Sequence, residues 1–459
     1  MRLAHLIGPD LLTLVQEAPD QLSELLDEIH PEDIADVVLE FPDDQAVALL
    51  TLLPAEHAAQ VLSRLPQDRQ EQLAERMGAG SVARIATEMG ADDRADFFSI
   101  LPPSVGAPAF EELELLNPEA AEEVEELQRW PEKTAGGLMT TDYVSVGPNV
   151  RIDATIETIR QNANKAETLE AVYVLDETGH LRGFIKLRDL LVSRPDERAR
   201  DVMLENVISV PPELDQEEVA RVLAKYDLHT LPVVDQSGEM LGVITSDDIL
   251  DVIHEEQAED VQKMGAIAPL QEGYFAASIG MYIKKRAPWL LVLFVGGFFT
   301  TSALKAYDTV LHSVAQLAFY VPLLVSAGGN SGSQSSTLVI RGLAVGDIAS
   351  RDWWRVLFRE AVQGLVLGSL LATLGVLRVF IAGDGWGLAT VIAPTILCIV
   401  LMGCVVGGML PILLNRVGLD PATSSNPFIA TLVDVFGIVI YLTLAQGLLG
   451  EALSRVPVH

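Results

Sequence analysis

From about residue 289 the sequence passes through five apolar stretches, beginning near Trp289, Thr309, Trp354, Leu388 and Pro427, each near or above the ~20 residues needed to cross hydrocarbon. No other feature restricts the fold so sharply. In lipid each backbone N–H and C=O must be satisfied internally, so stretches of this length become helices. Residues 271–459 therefore read as a five-span transmembrane domain. The second stretch, LHSVAQLAFYVPLLVSAGGNSGSQSSTLVI, turns polar and Gly-rich at its end. Irregular backbone is expected there, against protein or a water-filled path. Five spans put the two ends of the chain on opposite sides. Lys284, Lys285, Arg286, Arg341, Arg351, Arg355, Arg359 and Arg416 lie on the side of the N-terminal half; Lys305, Arg378 and Arg455 lie on the other. The bias of basic residues assigns the N-terminal half to the cytoplasm and the C-terminus to the outside.

The 459 residues combine 49% hydrophobic content with a formal net charge of -33. The conflict resolves by position. Beyond residue 263 there are 11 Lys/Arg and 9 Asp/Glu, which leaves 20 bases and 55 acids before it, a net of -35. An acidic soluble half precedes a nearly neutral apolar half. Such acidity repels nucleic acid phosphates and suits cations, although solubility alone also accounts for it. Cys398 and Cys404 sit in an apolar run, with neither metal spacing nor a disulfide framework. The opening MRLAHLIGPD lacks the pattern of a signal peptide, so the first half is expected not to cross a membrane.

Two repeats organise the acidic half. Pro31, Pro42, Pro54, Pro66, Gly78, Gly90 and Pro102 recur at steps of 11 or 12 residues, with helical segments such as AEHAAQVLSRL and QDRQEQLAERM between them. Pro fits the first turn of a helix, and an acid just after it complements the dipole. Short helices so close together bury an apolar face only by stacking, so residues 1–130 read as an all-α superhelix with an exit helix near NPEAAEEVEELQRW. Residues 131–252 hold the second repeat. AVYVLDETGHLRGFIKLRDLL resembles LPVVDQSGEMLGVITSDDIL, with Asp176, Gly179, Gly183 and Asp189 answered by Asp235, Gly238, Gly242 and Asp248. Each copy reads as strand, glycine turn, strand and helix, preceded by a further helix. The pattern resembles a tandem CBS domain, an α/β module that often binds adenine nucleotides. That resemblance puts Arg188, Asp189, Thr245 and Asp248 where ribose or phosphate could be held, making ATP a candidate ligand; the two Asp residues read equally well as helix N-caps. Residues 253–270 continue as an acidic connecting (plug) helix, on which Glu255 and Glu259, and Glu256 and Asp260, share faces at i,i+4.

Asp434 carries the most chemistry. It lies in PATSSNPFIATLVDVFGIVIYLTLAQGLLG, with Asn426 as a plausible N-cap and Pro427 at the first helical position. That places the carboxylate ~12 Å up the helix. On a lipid face it costs roughly 2.5–3.5 kcal/mol even on a lenient scale. No basic residue in the span pairs with it, so it is expected to face water and a cation; a protonated Asp bonded to a neighbouring helix is the alternative. Asn330 and Gln334 in GGNSGSQSS, and Glu360 just inside the third span, offer more oxygens. Asn330 reads equally as an interhelical bond, and Glu360 as a partner of Arg355 or Arg359. Hard oxygens without thiolates suit a strongly hydrated ion such as magnesium, and two carboxylates from a symmetric dimer hold it better than one. Oxygen ligands alone leave cobalt, manganese and calcium open.

The order of domains, with the motifs WPEKTAGGLMT, SAGGNSGSQSSTLVIRGLAVGD and LDPATSSNPFIATLVDVFG, resembles the MgtE family of magnesium channels across essentially the whole chain. The resemblance implies a homodimer in the bacterial inner membrane, in contact with lipid, with one central pore. Asp434 holds hydrated Mg2+ there, beside the Ala430 carbonyl and the Asn426 side chain. It also implies closure when cytoplasmic Mg2+ bridges acids: Asp92 and Asp96, then Asp215, Glu217 and Asp248, then Glu256, Glu259 and Asp260, and finally Asp420. A CBS-regulated transporter of anions or osmolytes, which needs cationic or neutral pore residues, and a membrane-bound metal sensor, which needs no Asp434, are the competing readings. No nucleophile constellation, phosphate loop or HExxH motif points to an enzyme.

Overall fold

The computed structural model describes residues 29–163, 165–270, 274 and 277–449. Residues 1–28 of the expected helical domain and residues 450–459, with Arg455, lie outside them. The chain forms two compact units, Met1–His254 and Glu255–His459.

Among the described residues of the first unit, eight helices come first: α1 Pro31–Glu40, α2 Asp43–Leu52, α3 Ala55–Ser63, α4 Gln67–Met77, α5 Ala79–Ala86, α6 Ala91–Ile100, α7 Pro103–Leu116 and α8 Pro118–Leu127. The 12-residue punctuation falls one position earlier than expected. Pro42, Pro54, Pro66, Gly78, Gly90 and Pro102 are the N-cap residues, and only Pro31 takes the first helical position. Extended backbone at each Pro turns the chain, and a new helix starts at once. Ile34, Leu49, Leu62, Leu73, Ile85 and Leu113 fill one continuous core. Arg94 is 5% exposed; its guanidinium donates to the Ala86 and Met89 carbonyls at 2.8 and 2.6 Å and pairs with Glu123 at 2.6 Å.

The second repeat folds as two matching halves. After α9 Ala135–Leu138, the first half holds β1 Ser145–Val146, α10 Ile152–Asn162, β2 Ala171–Leu175, β3 Leu181–Lys186 and α11 Leu187–Val192, then α12 Ala199–Val202. The second holds α13 Gln216–Tyr226, β4 Thr230–Val234 and β5 Met240–Thr245, and runs into α14 Ser246–Met264. β2 pairs antiparallel with β3 and β4 with β5, and β1 lies parallel to β2. Gly179 and Gly238 turn the hairpins at φ +80 and +90, and the two turns bond each other through Leu181 N to Gly238 O and Met240 N to Gly179 O, both 3.1 Å. Gly242 is required for another reason: a Cβ there would meet the Thr140 carbonyl at 2.6 Å. Helix α6 also packs here, since Ala91 and Ala95 share a core with Val219, Leu231, Ile249 and Val252.

The second unit is helical: α15 Ile279–Ala306, the short α16 Asp308–Ser313, α17 Gln316–Ala344, α18 Trp353–Ala382, α19 Gly385–Arg416 and α20 Asn426–Leu448. Among the described residues four helices are long and apolar enough to cross a membrane: α15, α18 with its leading 3-10 turn, α19 and α20. Helix α17, at 29 residues, is long enough but diluted by its polar run. Its expected irregular stretch is absent: GGNSGSQSS is regular helix, and it lies mid-span rather than at an end. Glycine explains why this conformation wins. A Cβ on Gly407 of α19 would lie 2.1 Å from the Gly332 carbonyl oxygen of α17, and one on Gly403 would lie 2.6 Å from that of Gly328. The small residues are spent on helix contact, the usual basis of association in lipid. Leu290, Leu291, Phe294 and Phe298 leave the face of α15 apolar and exposed.

Candidate functional site

Two groups of residues are candidates for a functional site, one in each unit. In the second, Asp434 stands eight residues into α20 from Asn426 and is half-buried. Ser425 is the N-cap, so Asn426 takes the first helical position and Pro427 the second, one residue off the expected start. Among the described residues Asp434 makes no hydrogen bond or ion pair, which leaves the neighbouring-helix alternative without a partner. Its Oδ1 opens over the bare backbone of α17: a Cβ added to Gly329 would stand 3.7 Å from it and 3.4 Å from the Ala430 Cβ. One turn below, the Ser333 hydroxyl donates to the Asn426 carbonyl at 3.4 Å, and the buried Asn426 Oδ1 has no partner. Asn330 is exposed on α17 and donates to Ser326 Oγ at 3.3 Å; Ser326, Gln334 and Thr337 are exposed too. Thus α17 and α20 present an open polar seam with one carboxylate.

Glu360 occupies a different place. It is 5% exposed, packs its Cγ against Gly408 of α19, and accepts from Gln363 at 3.4 Å. It pairs with neither Arg355, which reaches Asp352 at 3.5 Å, nor Arg359. Among the described residues no three His, Cys, Asp or Glu converge as a ready metal cage.

In the first unit, α6 brings Asp92, Asp93 and Asp96 against the start of α14, with Asp247 and Asp248, and against Glu167. Asp92 Oδ1 and Glu167 Oε2 both stand over Gly90, within 3.0 and 3.6 Å of where its Cβ would be. Desolvation, then neighbouring acids, pushes Asp92 well above the carboxylate range. The same causes lift Asp96 and Glu167 to about 7, and desolvation raises Asp93 against the Ser63 hydroxyl and the Arg64 charge, which favour its ionised form. Asp248 rises to about 6 by desolvation, although Thr245 Oγ1 donates to it at 2.5 Å. Asp93, Asp96 and Glu167 still reach solvent, so water screens part of this repulsion. Asp248 is the third residue of α14, not its cap, and Asp189 likewise lies inside α11.

The remaining expected ligands already have protein partners. Asp215 caps α13 by accepting from Glu217 N at 3.0 Å, and Glu217 pairs with Arg221 at 2.6 Å. Glu256 and Asp260 are half-buried on α14. Lys263 sits between Glu259 and Asp420, 2.5 Å from Asp420 Oδ2. A cavity in the CBS pair is lined by Tyr173, Phe184, Lys186, Asn206, Asp227 and His229 among others. Arg188, Asp189 and Thr245 do not line it: Arg188 is exposed and turned to Asp189, and Thr245 is buried on Asp248.

Sequence reasoning missed Asp93, Asp247, Glu167, Lys263 and Lys186. The constant offset of the second repeat could have found Lys186, which answers Thr245. Nothing marks Glu167, a loop residue without periodicity.

Comparison with known proteins agrees with this anatomy. The divalent cation transporter MgtE model matches residues 321–444, the MgtE intracellular N domain model matches 29–133, and the CBS domain model matches 135–195 and 199–255. The magnesium transporter MgtE of Thermus thermophilus is 44% identical over 336 residues, which cover 73% of this chain and 74% of that one. That of Enterococcus faecalis is 34% identical over 72% of each. A crystal structure of the soluble part of a magnesium transporter superposes with a TM-score of 0.52 at 31% identity, covering 56% of this chain and 100% of that one. The chain belongs to the MgtE family of magnesium transporters, which are not enzymes.

Proposed function

We propose that the chain carries magnesium, still largely hydrated, inward across the bacterial inner membrane through a pore shared by two copies, and that cytosolic magnesium closes it. The observation that carries this reading is Asp434: an acid in a membrane helix, without a protein partner among the described residues, over a helix face that glycine leaves open. Such a carboxylate is stable when it faces water and a cation. Magnesium sheds its water reluctantly, so one carboxylate with the Ala430 carbonyl and the Asn426 amide, and Asn330 nearby, suits a water-clad ion. The polar seam of Ser326, Asn330, Gln334 and Thr337 makes a poor lipid face. A second copy related by a two-fold axis covers it and supplies the second carboxylate. The apolar face of α15 then meets lipid, and the basic-residue bias keeps the first unit in the cytoplasm.

The acidic face supplies the sensor. Asp92, Asp96 and Asp248, with Asp93, Asp247 and Glu167, are packed together and outnumber the nearby Arg64, so the compact arrangement is favoured when divalent ions bind between them. Two unit charges 4 Å apart repel by roughly 4 kcal/mol at an effective dielectric of 20, and a divalent ion reverses that sign. Asp215 and Glu217, and Glu256, Glu259, Asp260 and Asp420, join the same response in part through their protein partners. Mg2+ is thus both cargo and regulator. An adenine nucleotide such as ATP fits the CBS cavity, where aromatic rings meet the cationic Lys186.

Magnesium uptake into liposomes tests the central claim. Asp434→Asn is expected to cut uptake at least tenfold while the protein stays folded. Wild-type uptake in that variant removes the ion site, and no uptake by the wild type removes the transport reading.

A further inference from the structure

We infer that Lys263 is a positioning residue for the pore, a built-in cation that fastens the last turn of the connecting helix to the loop in front of the last membrane helix. The inference rests on the closing reading above and assigns to a lysine what that reading leaves to a metal ion. Glu259 and Asp420 are the two acids expected to come together around Mg2+. Here Lys263 already joins them: its Nζ pairs with Glu259 one turn back and with Asp420 Oδ2 at 2.5 Å, and the side chain is 23% exposed. Half-burial makes such a bridge worth more than a solvent-exposed pair.

Asp420 is not a passive partner. Its other oxygen, Oδ1, accepts from Ala422 N at 2.8 Å and caps the 3-10 turn Pro421–Thr423. The hydroxyl of Ser424 closes on the Pro421 carbonyl at 2.7 Å, and Ser425 then takes the N-cap position of α20, which carries Asp434. A displacement of Lys263 therefore reaches the base of α20 through one carboxylate and one tight turn. The residue next to Lys263 is tied as well. Gln262 donates to the Leu270 carbonyl at 3.1 Å and accepts from Leu270 N at 2.7 Å. A link made by an ammonium needs no magnesium, so it persists at every magnesium level. It is suited to transmit a closing signal rather than to sense the ion.

The test uses the full chain in liposomes, titrated with internal magnesium. Lys263→Gln is expected to leave at least threefold more residual flux at saturating internal magnesium. Magnesium should still protect α6 from hydrogen exchange as it does in the wild type, because the sensor is intact. Lys263→Arg, which keeps charge and reach, restores closing. Asp420→Asn keeps the acceptor for Ala422 N but loses the ion pair; it should match Lys263→Gln, and the double variant should be no worse than either single one. Closing of Lys263→Gln at the wild-type level overturns the inference. So does closing at lower magnesium, which would mean that the lysine merely competes with a metal for the two acids. If Lys263→Gln does not fold, Asp420→Asn and Lys263→Arg still decide. A wild type that magnesium does not close defeats the gating reading itself, visibly and before any variant is compared.

Discussion

Protons should imitate magnesium at the acidic face, and the size of the effect follows from Asp248. In the compact arrangement this carboxyl titrates near 6, against 3.8 when free, because burial and then Asp247 and Asp93 disfavour its charge despite the hydrogen bond from Thr245. The sign follows from which state binds the proton. The compact state takes it up first, so above pH 6 the compact state bears the full cost of a charged Asp248. That cost falls away as pH drops from 6 towards 4. At 1.36 kcal/mol per unit, two units correspond to about 3 kcal/mol, and screening by nearby water brings this to ~1.5 kcal/mol, near tenfold in population. Asp96 and Glu167, lifted to about 7, start the same gain earlier, although their exposure makes each contribution smaller. Hydrogen exchange of α6 in the magnesium-free full chain, corrected for intrinsic rates, reads the compact fraction. Protection of the wild type should begin to climb below pH 7, where Asp96 and Glu167 titrate, and climb most steeply as pH falls from 6 towards 4. Asp248→Asn should start about tenfold higher at pH 8 and respond less to pH. Protection that is flat or falling from pH 6 to 4 refutes the claim that these acids oppose compaction.

Gly407→Ala forces a methyl to within 2.1 Å of the Gly332 carbonyl, backbone against backbone, so α17 and α19 must part; we expect a loss of about 1–3 kcal/mol and a clearly lower melting temperature in detergent, and unchanged melting contradicts the contact. Gly329→Ala is the complementary case: its Cβ meets Ala430 at an ordinary 3.4 Å, so stability should hold while magnesium uptake falls, because the methyl stands beside Asp434. Arg94→Met leaves Glu123 and the Ala86 and Met89 carbonyls without their donor, a loss of about 3 kcal/mol that should lower the urea midpoint of the first unit but not magnesium-free flux.

The membrane helices were legible because hydrocarbon allows so few solutions, and the CBS halves because their turns demand glycine at fixed spacing. The helical repeat was legible too, displaced by one residue, since Pro serves a cap as well as a first turn. What misled was local composition. GGNSGSQSS has few strong helix formers, yet Gly328 and Gly332 place α17 close against α19, and packing overrides propensity. The site was read unevenly for a physical reason. A lone acid in an apolar span stands out by its solvation cost, which makes Asp434 conspicuous as a candidate. Acids in a strongly acidic domain do not stand out, so Asp93, Asp247 and Glu167 became visible only once α6 was seen to pack against the second CBS half.

Charge neutralisation takes a different form at each of the three places. At the acidic face the carboxylates are crowded and outnumber the nearby Arg64, so in the proposed gating their arrangement depends on cations from solution and varies with magnesium and pH. At Asp434 a single acid faces an open seam, which suits an ion that comes and goes. Between Glu259 and Asp420 the counter-charge is covalently part of the chain, so the contact is independent of concentration. One uninterrupted helix, Ser246–Met264, carries Asp248 in its first turn and Lys263 in its last. A variable charge at one end and a permanent one at the other suit a transmitting element: in the proposed gating the first end responds to the ion, and the second holds its grip whatever the ion does.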